Sequence, residues 1–187
     1  MRRDDLRRYD SVSMDGFRRN LTNSILIQLF DYWRGRLGAD GRMRRDKLDP
    51  GDIRSVLPYV FIVEPVPDTR RFRYRLVGTY IQSRIQRKIE GLTVEEVREG
   101  PIVQHLNDLF GTAAATGTPA IGVSVLTGKT LPTAVYRRMV LPMTTSDGTI
   151  DQLLGGWVAE YDRLVPPECQ TLEAQERPIS LTVMTSD

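Results

Sequence analysis

One cysteine and one histidine among 187 residues remove several kinds of chemistry at once. Cys169 has no second cysteine, so an internal disulfide and a multi-cysteine metal site are excluded. With His105 as the only imidazole, the metal and nucleophilic arrangements of common hydrolases lack their usual partners. No run approaches the roughly 18 apolar residues of a membrane-spanning helix. The opening MRRDDLRRYD lacks the apolar core of a secretory signal, so a cytoplasmic location is expected. Net charge is also small. Lys and Arg total 26 against 24 Asp and Glu, a net charge of +2, too small by itself to argue for a nucleic-acid partner. The distribution is less even: residues 1–47 hold 12 basic and 7 acidic side chains, while residues 148–187 hold 2 and 7. Hydrophobic content of 40% with 27% charged describes an ordinary globular chain.

The clearest local signal is Arg71-Phe72-Arg73-Tyr74-Arg75-Leu76-Val77-Gly78-Thr79. Phe72, Tyr74 and Leu76 alternate with three arginines, a period of two that an extended strand exploits. The apolar set is expected to face a core and the guanidiniums to look outward. Upstream, Leu21, Ile25, Leu26, Leu29, Phe30, Trp33 and Leu37 fall at helical spacing, with Thr22 or Asn23 as the cap and Gly38 as the stop. Pro101 opens a second long helix in which Ile102, Leu106, Leu109 and Ala113 share a face, closed by Gly117. Strands are expected at Tyr59–Val66, Ala120–Leu126, Thr133–Met143 and Ile150–Tyr161, the last two joined through Ser146-Asp147-Gly148.

The expected organisation is a flexible Arg-rich arm at 1–19, a helix and connector at 20–57, a core at 58–162 and an acidic tail at 163–187. Within the tail, Ile179–Met184 alone is prone to form a strand. The order of elements gives an α+β fold: a five-stranded antiparallel sheet with helices on one side and an N-terminal amphipathic helix.

That order is the PAS-domain order, and particular residues strengthen the likeness. Tyr32-Trp33, Asp49-Pro50, Leu57-Pro58, the segment Phe72 to Thr79, Tyr136 through Leu141-Pro142, and Leu154-Gly155 follow one another in sequence. From about Leu29 to Trp157 the chain resembles a bacterial family of stand-alone PAS-like proteins. It departs from that pattern at Gln86, Lys88 and Glu90, where the family carries Gly, Asp and Thr. The resemblance implies a sensory or protein-interaction module without catalysis.

It also implies a central cavity bordered by Tyr74, Leu76, Phe110, Tyr136 and Trp157, with a small molecule as its possible ligand; plain core packing is the alternative. Similar leading helices often mediate dimers, so Leu26, Phe30 and Trp33 become candidate contacts with a second copy or a signalling partner. Some PAS domains ligate haem from a histidine on the long helix, but His105 lies about 110° from the centre of the apolar face, toward the rim. A flavin adduct needs a cysteine among the short helices, and Cys169 lies beyond the last core strand. No cofactor and no metal is expected. Gly128-Lys129-Thr130 is not a phosphate-binding loop, because five residues separate Gly122 from Gly128 and Pro132 follows. The runner-up function is contact with nucleic acid or an anionic membrane through Arg71, Arg73, Arg75 and the N-terminal arginines. A small enzyme with a hidden carboxylate pair is the third.

Overall fold

In the computed structural model, which describes residues 9–127, 134–161 and 175–185, the arginine-alternating segment is the edge strand of one large sheet. Eight strands contribute: β1 (Tyr9–Val12), β2 (Met43–Arg44), β3 (Val60–Pro65), β4 (Phe72–Val77), β5 (Ala120–Thr127), β6 (Ala134–Thr144), β7 (Ile150–Tyr161) and β8 (Gln175–Met184). Seven lie in the order β1-β8-β5-β6-β7-β3-β4, and β2 pairs with β6. The expected five-stranded antiparallel core is present as β5-β6-β7-β3-β4. It is wider than expected, because β8 pairs antiparallel with β5 and β1 pairs parallel with β8.

Two stretches therefore differ from the sequence reading. Part of the presumed flexible arm forms β1 and helix α1 (Met14–Asn20), and Phe17 is buried. Part of the acidic tail forms β8, whose Leu181 and Met184 reach the interior. The strand tendency expected at Ile179–Met184 is borne out within β8, whereas Tyr9–Asn20 and the start of β8 at Gln175–Pro178 carry little periodic apolar signal. Their hydrogen bonds to one another and to β5 supply what their sequences do not.

Helix α2 (Ser24–Arg34) starts at Asn23, whose side chain accepts the Ile25 N–H, and is capped at Gly35 rather than Gly38. It covers one face of the sheet. Leu26, Leu29, Phe30 and Trp33 are all at most 2% exposed, each contributing roughly 1.5–3 kcal/mol by burial. The other face is covered by α3 (Thr79–Ile85), α4 (Val94–Val97) and α5 (Pro101–Thr116). Adjacent glycines on β7 make room for both layers. A Cβ on Gly155 would lie 2.2 Å from the Phe61 ring, and one on Gly156 2.9 Å from Leu26 and Leu29. The β6–β7 hairpin turns as expected, with the Thr145 N–H bonded to the Thr149 carbonyl at 2.9 Å and Gly148 at φ 84°.

One inward assignment fails. Ile62 pairs with Leu76 but Val63 pairs with Tyr74, so Arg75 is an extra residue in β4. Such a bulge resets the alternation. Phe72 and Tyr74 face inward, Leu76 is 44% exposed, and Val77 takes the inward place.

Candidate functional site

On β6 the side chains of Tyr136 and Val140 belong to the core under α5, while Met139 and Leu141 belong to the core under α2. The alternation carries Arg138 onto the α5 face together with Tyr136. Its cross-strand neighbours are Trp157 on β7 and Gly122 on β5. Arg138 is only 5% exposed, in a place where a charge requires close partners.

Those partners are specific. The guanidinium lies 4.8 Å from the Trp157 ring centroid and 5.2 Å from that of Tyr136, within the range of a cation–π contact. Its Nη1 donates to Ser124 Oγ at 2.9 Å and to Glu176 Oε1 at 2.6 Å. The Ser124 hydroxyl donates to the same carboxylate oxygen. Glu176, from β8, is as buried as its partner, each side chain being 6% exposed. Burial pushes the Glu176 carboxyl up, but the charge and hydrogen bond of Arg138, with Arg98 and Ser124, outweigh it and hold the group below its ordinary range.

Three buried polar atoms of this cluster have no hydrogen-bond partner among the described residues: Arg138 Nη2, Trp157 Nε1 and Glu176 Oε2. Arg138 and Trp157 line a small internal cavity of about 10 Å³, with Tyr74, Phe61, Leu106 and Arg98 among the other walls. That is room for about one water. Outside it, a surface recess of about 570 Å³ is lined by Arg98, Gly100, Pro101, Leu126, Glu176 and Arg177, among others. Arg98 borders both spaces, and its guanidinium stands 5.7 Å from the Trp157 ring. The Arg138–Glu176 pair and Arg98 therefore stand between recess and cavity.

The residues expected around a cavity divide. Tyr74 and Trp157 line it, and burial pushes the Tyr74 phenol up. Tyr136 packs edge-on against Trp157 at 5.4 Å and lies under Arg138. Phe110 is wholly buried between Phe61 and Phe72 and belongs to the core. Leu76 is on the outside, displaced by the β4 bulge. Leu26, Phe30 and Trp33 lie on α2 packed against the chain's own sheet, so these three side chains are already covered within one molecule.

His105 is partly buried, at the edge of the α5 layer. A Cβ on Gly122 would lie 2.7 Å from its Nε2, so the imidazole occupies the space that glycine leaves on β5. Burial, with Arg138 nearby, holds its pKa below the ordinary value. The outward arginines of β4 and the residue before it meet carboxylates: Arg73 and Arg75 approach Glu64 at 2.8 and 3.6 Å, and Arg71 lies 4.0 Å from Glu95. Among the described residues no group of three His, Cys, Asp or Glu side chains gathers in metal-binding geometry. Cys169, the N-terminal arginines up to Arg8 and Gly128-Lys129-Thr130 lie outside the described residues.

Comparison with protein-family models gives a match to the PAS domain over residues 21–158. The chain belongs to the PAS domain family. PAS domains are generally sensory or interaction modules and non-catalytic, and no curated protein matches this chain. In this PAS domain no helix among the described residues is long and apolar enough to cross a membrane. Sequence reasoning missed Arg138, Ser124, Glu176 and Arg98. A signal existed for the first: an arginine at an inward position between Tyr136 and Val140 breaks the apolar face of β6. Glu176 left none, since nothing local ties it to a strand 38 residues away.

Proposed function

We propose that this PAS domain is a cytoplasmic sensory module that holds a small molecule on the α5 face of its sheet, around Tyr74, Arg138 and Trp157, and signals occupancy to a protein partner. The observation that carries this reading is the set of buried, unpartnered polar atoms on Arg138 and Trp157, both of which line the internal cavity. Buried donors without partners are uncommon, and each such group calls for an explanation. A recess of about 570 Å³ adjoins them, a size typical of ligand sites. Occupancy acts on the partner by altering how α4, α5 and β8 close over the site, which requires unequal affinity of the ligand for two arrangements.

Native mass spectrometry of the protein purified from its own host tests this. The expected spectrum contains a complex whose excess mass disappears in a Leu106→Trp variant, which fills the cavity. A spectrum of the bare chain alone, in every charge state, overturns the reading.

A further inference from the structure

We propose that Glu176 is an internal stand-in for the ligand, seated on Arg138, and that the ligand is a small carboxylate with a flat apolar body. This rests on the cavity reading above and adds both the ligand class and a displacement step.

The cavity in its present form has room for one water, so a larger molecule enters only if part of the wall withdraws. The wall that withdraws is the start of β8. Glu176 borders the outer recess, and its partner Arg138 borders the inner cavity. Withdrawing the Glu176 carboxylate from both Arg138 and Ser124 joins the two spaces. What leaves Arg138 is a carboxylate, and a carboxylate is what the vacated guanidinium accepts in return, in the fork geometry that Arg favours. Trp157, Tyr136 and Tyr74 surround that seat with ring faces and edges, which suits a planar apolar body.

The pairing of β8 shows where it parts. A register shift lies between Val123, opposite Ser180, and Ser124, opposite Pro178. Ile179 is the extra residue there and is 48% exposed. Pro178 has no N–H for the ladder. Residues 175–178 thus form a segment separate from 180–184, which stays anchored by Leu181 and Met184. Displacement of Glu176 releases the first segment and leaves the second paired with β5.

Calorimetric titration with benzoate and with its neutral analogue benzamide, against the wild-type protein and Glu176→Gln, tests the proposal. Glu176→Gln removes the competing charge, so benzoate binds it at least tenfold more tightly than wild type, while benzamide gains nothing. Should that variant fail to fold, hydrogen exchange on wild-type protein with saturating benzoate decides: residues 175–178 lose protection and residues 181–184 keep theirs. Equal binding of benzoate and benzamide, or benzoate binding with unchanged protection at 175–178, overturns the stand-in role and leaves the cavity as a ligand site of another kind. No binding of either probe to wild type or variant overturns the carboxylate assignment, whereas the cavity reading itself stands or falls with the mass spectrum of the host-purified protein.

Discussion

The indole Nε1 of Trp33 donates to the Pro142 carbonyl at 2.9 Å, across 109 positions of sequence. Two pieces of the family likeness, Tyr32-Trp33 and Leu141-Pro142, are therefore the two sides of one buried contact between α2 and β6. Replacing Trp33 with Phe keeps most of the apolar surface but strands the Pro142 carbonyl. The expected cost is about 2 kcal/mol, from the lost bond and the volume left behind. Urea unfolding checks it: the midpoint falls and the slope is unchanged.

Glu176→Ala leaves the Arg138 guanidinium buried without its counter-charge. Breaking a buried pair from one side costs about 3–5 kcal/mol. Replacing both partners, as Arg138→Met with Glu176→Leu, removes the charge as well as its partner and is expected to restore most of that stability. Thermal unfolding of Arg138→Met, Glu176→Leu and the double variant measures the coupling.

Stability is expected to fall on acidification in two steps. The unfolded chain protonates His105 near its ordinary 6.5, whereas the folded chain does so only at lower pH, because burial and Arg138 oppose the charge. Below about pH 6.5 the unfolded state therefore holds more protons, and stability declines as pH drops until the folded imidazole is also protonated. Glu176 acts in the same direction lower down: its contribution is complete above the unfolded value of 4.5 and is lost as pH falls through its lower folded value. Asp108 and Glu176 lessen the His105 effect without reversing it. Denaturant unfolding between pH 4 and 8 is expected to show the decline below about 6.5, and His105→Gln to remove that first step alone.

Gln86 ends α3 at φ 57°, in the left-handed region that favours glycine at a helix end. A side chain there costs about 1–2 kcal/mol relative to a right-handed residue, partly offset by the greater freedom glycine has when unfolded. Gln86→Gly is therefore expected to raise stability by about 0.5–1 kcal/mol, read as an increase in denaturation midpoint.

What the sequence showed follows from how local each cause is. Leu26, Leu29, Phe30 and Trp33 announce α2 by helical spacing, because the cause and the signal lie within eleven residues. The alternation in β4 was legible only as far as Tyr74. The bulge at Arg75 is fixed by pairing with Ile62 and Val63 on β3, which spacing along β4 does not encode. The site was half legible. Tyr74, Tyr136 and Trp157 follow from the resemblance to the PAS family, but the pairing of Arg138 with Glu176 depends on β8 docking beside β5. A polar segment held by backbone pairing carries almost no periodic signal, which is also why β1 and α1 were read as a loose arm.

The central claim is that a small molecule occupies the α5 face beside Arg138 and Trp157. The chain has two tryptophans, and they lie on opposite faces of the sheet, so their indole N–H signals in a proton–nitrogen correlation spectrum report the two faces separately. The deciding measurement compares protein purified from its host with the same protein after unfolding, dialysis and refolding. Loss of a bound molecule is expected to move the Trp157 indole signal and leave that of Trp33 in place; identical positions for both signals in the two samples contradict a ligand at this site.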